Sequence, residues 1–333
     1  MRLLITGGAG FIGSEFVRMT LAEHPDDSVV VLDKLTYAGN ERNLDQVRGD
    51  PRFRFVRGDI ADADVVRSLA GESDVVVNFA AESHVDRSLE APGQFILTDV
   101  FGTYVLLEAA RAAGHQRFVQ VSTDEVYGEV AEGRSREGDP FRPRSPYSAS
   151  KAGGELLIQA YRASYGMPAI VTRGANTYGW RQYPEKIIPL FVTNAIEGRS
   201  LPIYGDGRAV RDYIFVEDHC HGIDAALRRG VPGEDYNIGA GGEVSGTTVA
   251  DTVLRLLGKP GSLKQYVRDR PGHDRRYALD ASKLRALGWA PRVSFEQGME
   301  QTVRWYRDNE DWWRPLKNGE FWEFYRRNYR AAG

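Results

Sequence analysis

The feature of this sequence that most limits how it can fold is a run of glycines between an apolar segment and a helical pattern. Residues 2–6 are mostly apolar, as expected of a short strand, and a helical pattern begins at Phe11. The run between them reads Gly7-Gly8-Ala9-Gly10-Phe11-Ile12-Gly13. Glycines at this spacing allow a tight turn and let a helix pack closely on a strand. The run therefore predicts a strand, a tight loop and a helix at the start of an α/β fold.

The first half of the chain alternates apolar runs with helical patterns. The apolar runs that we expect to be strands lie at residues 2–6, 28–32, 53–56, 74–79, 118–121 and 169–173. The helical patterns lie at residues 11–23, 92–113 and 145–165. Strands that are apolar on both faces and separated by helices form a parallel sheet that is covered on both sides. We therefore predict a Rossmann-type, doubly wound α/β fold.

After about residue 180 the pattern becomes less regular. The elements expected there are strands at residues 200–204, 211–215 and 235–238, helices at 216–229 and 249–257, and an aromatic helical tail at 305–329. This half reads as a smaller C-terminal lobe that is partly interleaved with the first half. We therefore expect a first domain at residues 1–180 and the smaller lobe at residues 181–333.

The composition excludes several classes of protein. The 333 residues include 42% hydrophobic and 27% charged side chains, which is typical of a globular enzyme. The formal net charge of −3 argues against a general nucleic-acid-binding protein, because neutralising phosphates requires an excess of basic residues. No apolar run is long enough to predict a membrane span. The single cysteine, Cys220, excludes an internal disulfide and favours the cytoplasm, and we expect no metal site beside it.

The glycine run also predicts a dinucleotide site, because the N–H groups and positive dipole at a helix N-terminus attract phosphates. Asp33 ends the second strand about twenty residues later, as in dinucleotide-binding folds. A carboxylate there hydrogen-bonds the adenosine ribose and repels a 2′-phosphate, so NAD is favoured over NADP. Lys34 complicates this choice, since a nearby cation tolerates that phosphate. Asp59 and Ile60, after the third strand, are expected beside the adenine, although Asp59 could equally cap a helix.

Tyr147 and Lys151 are four residues apart and are therefore expected on one face of a helix. A tyrosine with its usual pKa near 10 is a poor base at neutral pH. A nearby ammonium group and a positive nicotinamide ring favour the phenolate. Tyr147 is then expected to take a proton from a substrate hydroxyl during hydride transfer. In isolation, the two residues could equally mark a solvated helix start.

Thr123, Asp124 and Glu125 come at the end of the fifth strand, where the chain leaves the sheet. The Thr123 hydroxyl can hydrogen-bond the same substrate oxygen as Tyr147. Two neighbouring carboxyl groups push their pKa values apart, so that one serves as an acid and the other as a base. A simple dehydrogenase needs no such pair, which favours an elimination combined with hydride transfer. For an isolated Asp-Glu pair, a solvated loop or a helix cap is the alternative.

The chain resembles the extended short-chain dehydrogenase/reductase family, and within it the nucleotide-sugar 4,6-dehydratases, over nearly its whole length. The glycine run and the Tyr/Lys pair are shared with epimerases and many reductases. The more specific segments are residues 80–88, 122–128 and 269–278, which read AAESHVDRS, STDEVYG and DRPGHDRRYA. The resemblance implies that residues 1–180 hold NAD and the catalytic groups, and that the C-terminal lobe mainly binds a nucleotide sugar.

The chemistry implied by the resemblance is the dehydration of dTDP-glucose to dTDP-4-dehydro-6-deoxy-glucose. Tyr147, helped by Lys151 and Thr123, would take the C4 hydroxyl proton as hydride passes to NAD. Glu125 would remove the C5 proton, and Asp124 would protonate the departing C6 hydroxyl. One alternative is a sugar-nucleotide 4-epimerase, which needs neither carboxylate. The other is a dinucleotide-sensing protein without turnover.

The residues expected at the site form three groups. The catalytic group is Thr123, Asp124, Glu125, Tyr147 and Lys151. The cofactor-binding group is Gly7, Gly10, Phe11, Ile12, Gly13, Asp33, Lys34, Thr36, Asp59, Ile60, Phe79, Ala80, Ala81, Ser83, Thr98, Tyr147 and Lys151. The substrate-binding group is His84, Thr123, Asp124, Glu125, Asn176, Lys186, Ile187, Pro202, Ile203, Tyr204, Arg211, Asn237, Arg270, His273 and Tyr277. The resemblance also implies a homodimer, formed by the helices near 92–113 and 145–165.

Overall fold

The computed structural model describes residues 1–329, and its centre is a seven-stranded parallel sheet. The strands of the chain are β1 (Arg2–Thr6), β2 (Ser28–Asp33), β3 (Phe53–Arg57), β4 (Val75–Asn78), β5 (Arg117–Thr123), β6 (Ala169–Gly174), β7 (Asn176–Tyr178), β8 (Leu201–Tyr204), β9 (Val210–Arg211), β10 (Tyr213–Phe215), β11 (Asp235–Ile238), β12 (Val244–Ser245) and β13 (Lys264–Val267). The central sheet has the order β11-β6-β5-β4-β1-β2-β3, and two-stranded pairs join β10 to β7, β12 to β9, and β13 to β8.

The strand order identifies the fold. Strand β1 pairs on one side with β2 and on the other with β4, so the chain winds outward in both directions from β1. Leu4 lies opposite Val30 of β2 and Val76 of β4. Leu3, Leu4 and Ile5 are all buried, as expected of a strand that is covered on both faces. This is the doubly wound topology, and the predicted Rossmann-type fold class is confirmed.

Helices cover both faces of the sheet. The helices of the chain are α1 (Phe11–Glu23), α2 (Ala63–Gly71), α3 (Val85–Glu90), α4 (Pro92–Phe95), α5 (Thr103–Ala112), α6 (Pro146–Tyr165), α7 (Ile187–Ile196), α8 (Val216–Arg229), α9 (Gly246–Leu257), α10 (Ser282–Arg285), α11 (Phe295–Asp308), α12 (Glu310–Trp313) and α13 (Gly319–Asn328). Helices α1 and α8 pack together on one face, and α2, α5 and α6 pack on the other. Short 3₁₀ helices lie at Glu41–Val47, Asp124–Tyr127, Gly261–Leu263 and Arg314–Leu316.

The helix expected at residues 92–113 is not continuous. A π-helical stretch at Ile96–Gly102 separates α4 from α5. Helix α6 approaches this stretch closely through a glycine, because a Cβ atom at Gly154 would lie 2.7 Å from the carbonyl oxygen of Asp99. A wider turn here is therefore packed against the helix that carries Tyr147 and Lys151. Such single π-helical turns occur often at functional sites.

The C-terminal half contributes to the central sheet as well as to its own core. Strand β11 pairs with β6, and α8 packs against α1, so the sheet crosses the division expected near residue 180. A separate apolar cluster joins α7, β8, α9 and α11 to the aromatic tail, in which Tyr306 and Trp313 are fully buried. The division into two domains stays a prediction. Within residues 1–329, no helix is both long and apolar enough to cross a membrane.

Candidate active site

A cavity opens at the carboxyl ends of the central strands, where doubly wound folds bind their ligands. Every residue of the predicted cofactor-binding group lines it. Thr123, Asp124 and Glu125 line the same cavity from the end of β5. The predicted cofactor and catalytic groups are thus brought together in one place, although they come from positions 7 to 151 of the chain.

The glycine loop forms the floor of this cavity. Gly7 has a φ of 68°, and a Cβ atom there would lie 2.5 Å from the backbone nitrogen of Ala80. Gly10 precedes the first residue of α1, and its N–H donates to the Gly7 carbonyl at 3.1 Å. A Cβ atom at Gly13 would collide with that same carbonyl. A Cβ atom therefore does not fit at Gly7 or Gly13, and the free helix N-terminus beside the loop suits a pyrophosphate.

Asp33 and its neighbours define one end of the cavity. The Asp33 carboxylate accepts hydrogen bonds from the N–H groups of Ala9 and Leu35, at 2.9 and 2.8 Å. Burial raises the pKa of Asp33, while those two bonds act in the opposite direction. The Lys34 ammonium lies 2.6 Å from the Asp59 carboxylate. The cation that complicated the choice of cofactor is therefore engaged by a carboxylate of the same cavity.

Tyr147 and Lys151 lie in the first two turns of α6. Ser145 caps this helix by accepting the N–H of Ser148 at 3.1 Å, and Pro146 occupies its first position. The buried Lys151 ammonium donates to the carbonyl of Val121, in β5, at 2.9 Å. Both side chains line the cavity, as their spacing predicts.

The pKa of Tyr147 differs from the expectation drawn from its neighbour Lys151. Burial, followed by the negative charges of Glu125 and Asp99, raises this pKa well above 10, and a hydrogen bond with Thr123 opposes the rise. Burial also lowers the pKa of Lys151. The protein alone therefore does not favour the phenolate. The positive charge of an oxidised nicotinamide ring in this cavity would act in the required direction.

Asp124 and Glu125 reach the same cavity because the chain turns into a 3₁₀ helix as soon as β5 ends. The Thr123 hydroxyl caps this helix by accepting the N–H of Glu125 at 3.2 Å. Burial and the charge of Glu125 raise the pKa of Asp124 well above its usual range. Burial also raises the pKa of Glu125, but Arg270 and Lys186 oppose this. Asp124 is thus suited to be the protonated acid, and the cations near Glu125 suit that carboxyl better to the role of base.

A second cavity adjoins the first and holds most of the predicted substrate-binding residues. The two cavities share Glu125, Asn176 and Lys186, among others. The predicted residues in its lining are His84, Glu125, Asn176, Lys186, Ile187, Pro202, Ile203, Tyr204, Arg211, Arg270 and His273. Lys186, Arg211 and Arg270 can hydrogen-bond a pyrophosphate, and the cavity is also lined by the carboxylates Asp86, Glu125 and Glu185.

The structure places Asn237 and Tyr277 outside both cavities. The Asn237 amide donates to the carbonyl of Ser135 at 3.0 Å, and its oxygen accepts from the Tyr127 hydroxyl at 2.9 Å. The Tyr277 hydroxyl donates to Asp274, and its ring lies under the Arg211 guanidinium at 4.3 Å. Asn237 therefore joins strands and loops behind the site, and Tyr277 supports Arg211 from behind.

Several buried charged residues near the site were not in the predicted groups. Asp86 accepts the Tyr204 hydroxyl at 2.9 Å and lies 3.6 Å from Arg270. Arg87 forms an ion pair with the buried Glu185 at 2.8 Å. Asp86 and Arg87 belong to the family-specific segment AAESHVDRS, so this segment could have indicated that both residues lie near the site. Glu185 stands next to Lys186, but nothing in its local sequence distinguishes it from a surface carboxylate.

Comparison with known proteins places this site in a family. The sequence profile of the family described as GDP-mannose 4,6 dehydratase matches residues 4–302. The chain is 50% identical to a dTDP-glucose 4,6-dehydratase from Actinoplanes, over 94% of this chain and 100% of the relative. The chain belongs to the dTDP-glucose 4,6-dehydratase family. A Haloferax volcanii low-salt glycan biosynthesis protein, Agl12, is 51% identical over 93% of this chain and 100% of its own length.

A solved structure of the dTDP-glucose 4,6-dehydratase family is also similar. It is DesIV from Streptomyces venezuelae, crystallised with NAD and TYD bound. The two chains are 52% identical and superpose with a TM-score of 0.93. The match covers 95% of this chain and 100% of DesIV. The doubly wound sheet and the C-terminal half described above are therefore those of the family.

Proposed function

We propose that this protein dehydrates dTDP-glucose to dTDP-4-dehydro-6-deoxy-glucose with NAD as a bound cofactor. The observation that carries the proposal is that Asp124 and Glu125 line the same cavity as Tyr147 and Lys151. One site then holds a separate side chain for each proton transfer. Tyr147 accepts the hydroxyl proton, Asp124 protonates the leaving hydroxyl, and Glu125 removes the C–H proton. The names of the relatives and the ligands in the DesIV structure support the same substrate and cofactor.

The first cavity fits NAD. The glycine loop lines this cavity beside the start of α1, where the free N–H groups of the helix N-terminus suit a pyrophosphate. Asp33 would hold the adenosine ribose, and the Asp59 carboxylate, 2.6 Å from the Lys34 ammonium, offsets the charge that a 2′-phosphate would meet there. When bound, NAD supplies the hydride acceptor for C4 and the hydride donor for C6.

The chain's own residues move the protons. Tyr147 takes the proton of the C4 hydroxyl as that carbon loses hydride, and Thr123 hydrogen-bonds the same oxygen. The resulting C4 ketone acidifies the C5 proton, which Glu125 removes. Asp124 gives its proton to the C6 hydroxyl, which leaves as water. As the bound cofactor would return hydride to C6, Glu125 returns its proton to C5. The proton gained by Tyr147 balances the one lost by Asp124 through exchange with solvent, so the net change is the loss of one water.

The second cavity would hold the nucleotide diphosphate. The Arg211 guanidinium donates to the carbonyls of Val210 and Asp274 at 2.8 Å, which fixes its plane in the wall of the cavity. The Arg270 guanidinium lies 3.6 Å from the Asp86 carboxylate. Cations that are already oriented lose little conformational entropy when a pyrophosphate binds.

A sugar-nucleotide 4-epimerase is the second candidate, since it shares the cofactor loop and the Tyr147/Lys151 pair. An epimerase has no use for a protonated carboxyl beside C6. The raised pKa of Asp124 and the cations around Glu125 therefore favour elimination. A dinucleotide-sensing protein without turnover would not require the Asp124/Glu125 pair and the Tyr147/Lys151 pair in one cavity.

The test is direct. The purified protein is incubated separately with dTDP-glucose, UDP-glucose, GDP-mannose and CDP-glucose, and the products are analysed by mass spectrometry and NMR. We expect dTDP-glucose to lose one water and to gain a C6 methyl signal. A product of unchanged mass with an inverted C4 would establish the epimerase, and no conversion of any sugar would contradict the enzyme proposal.

We also propose that the enzyme works as a homodimer in the cytoplasm. Large apolar side chains are exposed on the π-helical stretch, α5 and α6, and they include Leu97 at 53% and Leu156 at 55%. An apolar surface on adjacent helices is typical of a contact with another protein. A free, buried Cys220 suits a reducing compartment. Light scattering that gives a monomeric mass would contradict the dimer, and cell fractionation tests the compartment.

A further inference from the structure

Asp99 is a buried carboxylate that lies behind the candidate active site and lines neither cavity. It belongs to the π-helical stretch and is only 3% exposed. One carboxylate oxygen accepts the Ser150 hydroxyl at 2.6 Å, and the other accepts the N–H of Glu82 at 3.0 Å. Ser150 directly precedes Lys151, and Glu82 lines the cofactor cavity. Asp99 therefore connects the cofactor cavity to the helix that carries Tyr147 and Lys151.

The electrostatic surroundings of Lys151 give Asp99 a second role. A buried ammonium group is costly without a nearby negative charge. Two carboxylates act on Lys151, namely Asp99 and Glu155. Glu155 already forms an ion pair with the buried Arg173, at 2.6 Å, so its charge is matched. Within residues 1–329, Asp99 makes no ion pair within 4.0 Å, which leaves its charge to act on Lys151.

We propose that Asp99 is a positioning residue whose carboxylate is the counter-charge of Lys151 and fixes α6 against the cofactor cavity. The inference rests on the proposed function, because it assigns Asp99 an effect on the Tyr147/Lys151 pair. Asp99 touches neither the sugar nor the reacting atoms. It acts on them through Ser150, Lys151 and Glu82.

The role has a specific consequence for the dependence on pH. Burial raises the pKa of Asp99 to about 6, and Lys151 opposes this rise. The Asp99 charge in turn raises the pKa values of both Lys151 and Tyr147. The other charged groups facing these three residues are Glu82 toward Asp99, Glu155 toward Lys151, and Glu125 and Asp124 toward Tyr147. Removing the charge at residue 99 should therefore lower both pKa values and move the limbs of the pH profile that report Tyr147 and Lys151 to lower pH.

The test compares Asp99→Asn and Asp99→Glu with the wild-type holoenzyme and with Asp64→Asn, whose side chain is 92% exposed. The pH profile of kcat/KM for dTDP-glucose is measured for each protein. We expect the limbs that report Tyr147 and Lys151 to lie at lower pH in Asp99→Asn than in the wild type, while the Asp99→Glu profile lies nearer the wild type. A profile of Asp99→Asn that superimposes on the wild type after scaling would overturn the proposal.

Two further measurements keep the proposal testable. Ser150→Ala removes a hydrogen bond that stabilises ionised Asp99, so its profile should move in the same direction by a smaller amount. This variant serves if Asp99→Asn does not fold. The NAD affinity of the apoenzyme is followed by protein fluorescence across the pH range. The pH at which this affinity declines should be lower in Asp99→Asn than in the wild type. That measurement does not need turnover. If the wild type is inactive on dTDP-glucose but NAD binding still differs between Asp99→Asn and the wild type in this way, only the proposed function is contradicted.

Discussion

At the scale of single residues, two adjacent carboxyl groups acquire opposite tasks from their surroundings. Asp124 is buried, has an oxygen without a hydrogen-bond partner, and faces the charge of Glu125. Glu125 lies between the two cavities and faces Arg270 and Lys186. The first environment favours the neutral acid, whereas the cations of the second offset part of the cost that burial imposes on an ionised Glu125. The chemistry of elimination follows from where the chain turns at the end of β5.

The variant Asp124→Asn should separate loss of water from oxidation at C4. Without a proton to give to the leaving hydroxyl, elimination should slow by about 10²- to 10⁴-fold, while oxidation at C4 changes little. Single-turnover absorbance at the NADH band should then show reduced cofactor accumulating. Asp64→Asn is the matched control on the surface. Equal slowing of both steps would remove Asp124 from the role of acid.

The variant Glu125→Gln should abolish exchange at C5. A glutamine cannot accept the C5 proton, so incorporation of solvent deuterium at C5 should fall by about 10²-fold or more. The exchange is measured by NMR in deuterated buffer, with the exposed Glu72→Gln as control. Undiminished exchange would assign the base to another group.

The sequence was enough to predict which residues lie at the site, but it was not enough to predict the burial and the charged neighbours of each one. Strand ends and helix spacing brought Asp33, Tyr147 and Lys151 to one cavity as expected. The pKa of Tyr147 could not be foreseen, because it depends on burial and on carboxylates that fold in from other segments. Asn237 shows the same limit, since its polar atoms are used by Ser135 and Tyr127. No local pattern indicated Asp99, whose neighbours come from the loop after β4 and from α6.

At the scale of elements, the loop between β1 and α1 matters because the helix starts so close to the strand. Gly13→Ala should push α1 away from the loop, since a Cβ atom there meets the carbonyl of Gly7. We expect NAD affinity to fall by about tenfold or more, measured by fluorescence titration of the apoenzyme. Gly71→Ala is the matched control, because nothing lies within 4 Å of its Cβ position and alanine favours a helix. Equal NAD affinity in the two variants would contradict the tight-loop interpretation.

Element boundaries were predictable where apolar and polar residues alternate with a clear period. Helix α7 was missed because it is apolar on almost every side and buried, so it has no amphipathic stripe. The π-helical stretch was missed because its wider turn depends on how α6 packs against it. Strand β11 was predicted at the correct residues, but its pairing with β6 depends on contacts that are distant in sequence.

At the scale of the whole molecule, the exposed apolar side chains of the π-helical stretch and α6 predict an interface. Leu97→Glu and Leu156→Glu place charges on this surface and should shift a dimer toward the monomer. Size-exclusion chromatography with light scattering measures the change. Val231→Glu is the control, since Val231 is equally exposed, at 56%, and lies after α8. Dimers that persist at unchanged affinity in both interface variants would exclude this surface.

The late position of β11 has a consequence for biosynthesis. Until residues 235–238 leave the ribosome, β6 is an open edge whose N–H and C=O groups invite pairing with another chain. The 60 residues between Gly174 and Asp235 take on the order of 3–12 seconds to translate, at about 5–20 residues per second. The nascent protein thus passes through an aggregation-prone interval, in which a chaperone that shields strand edges would raise the yield of active enzyme.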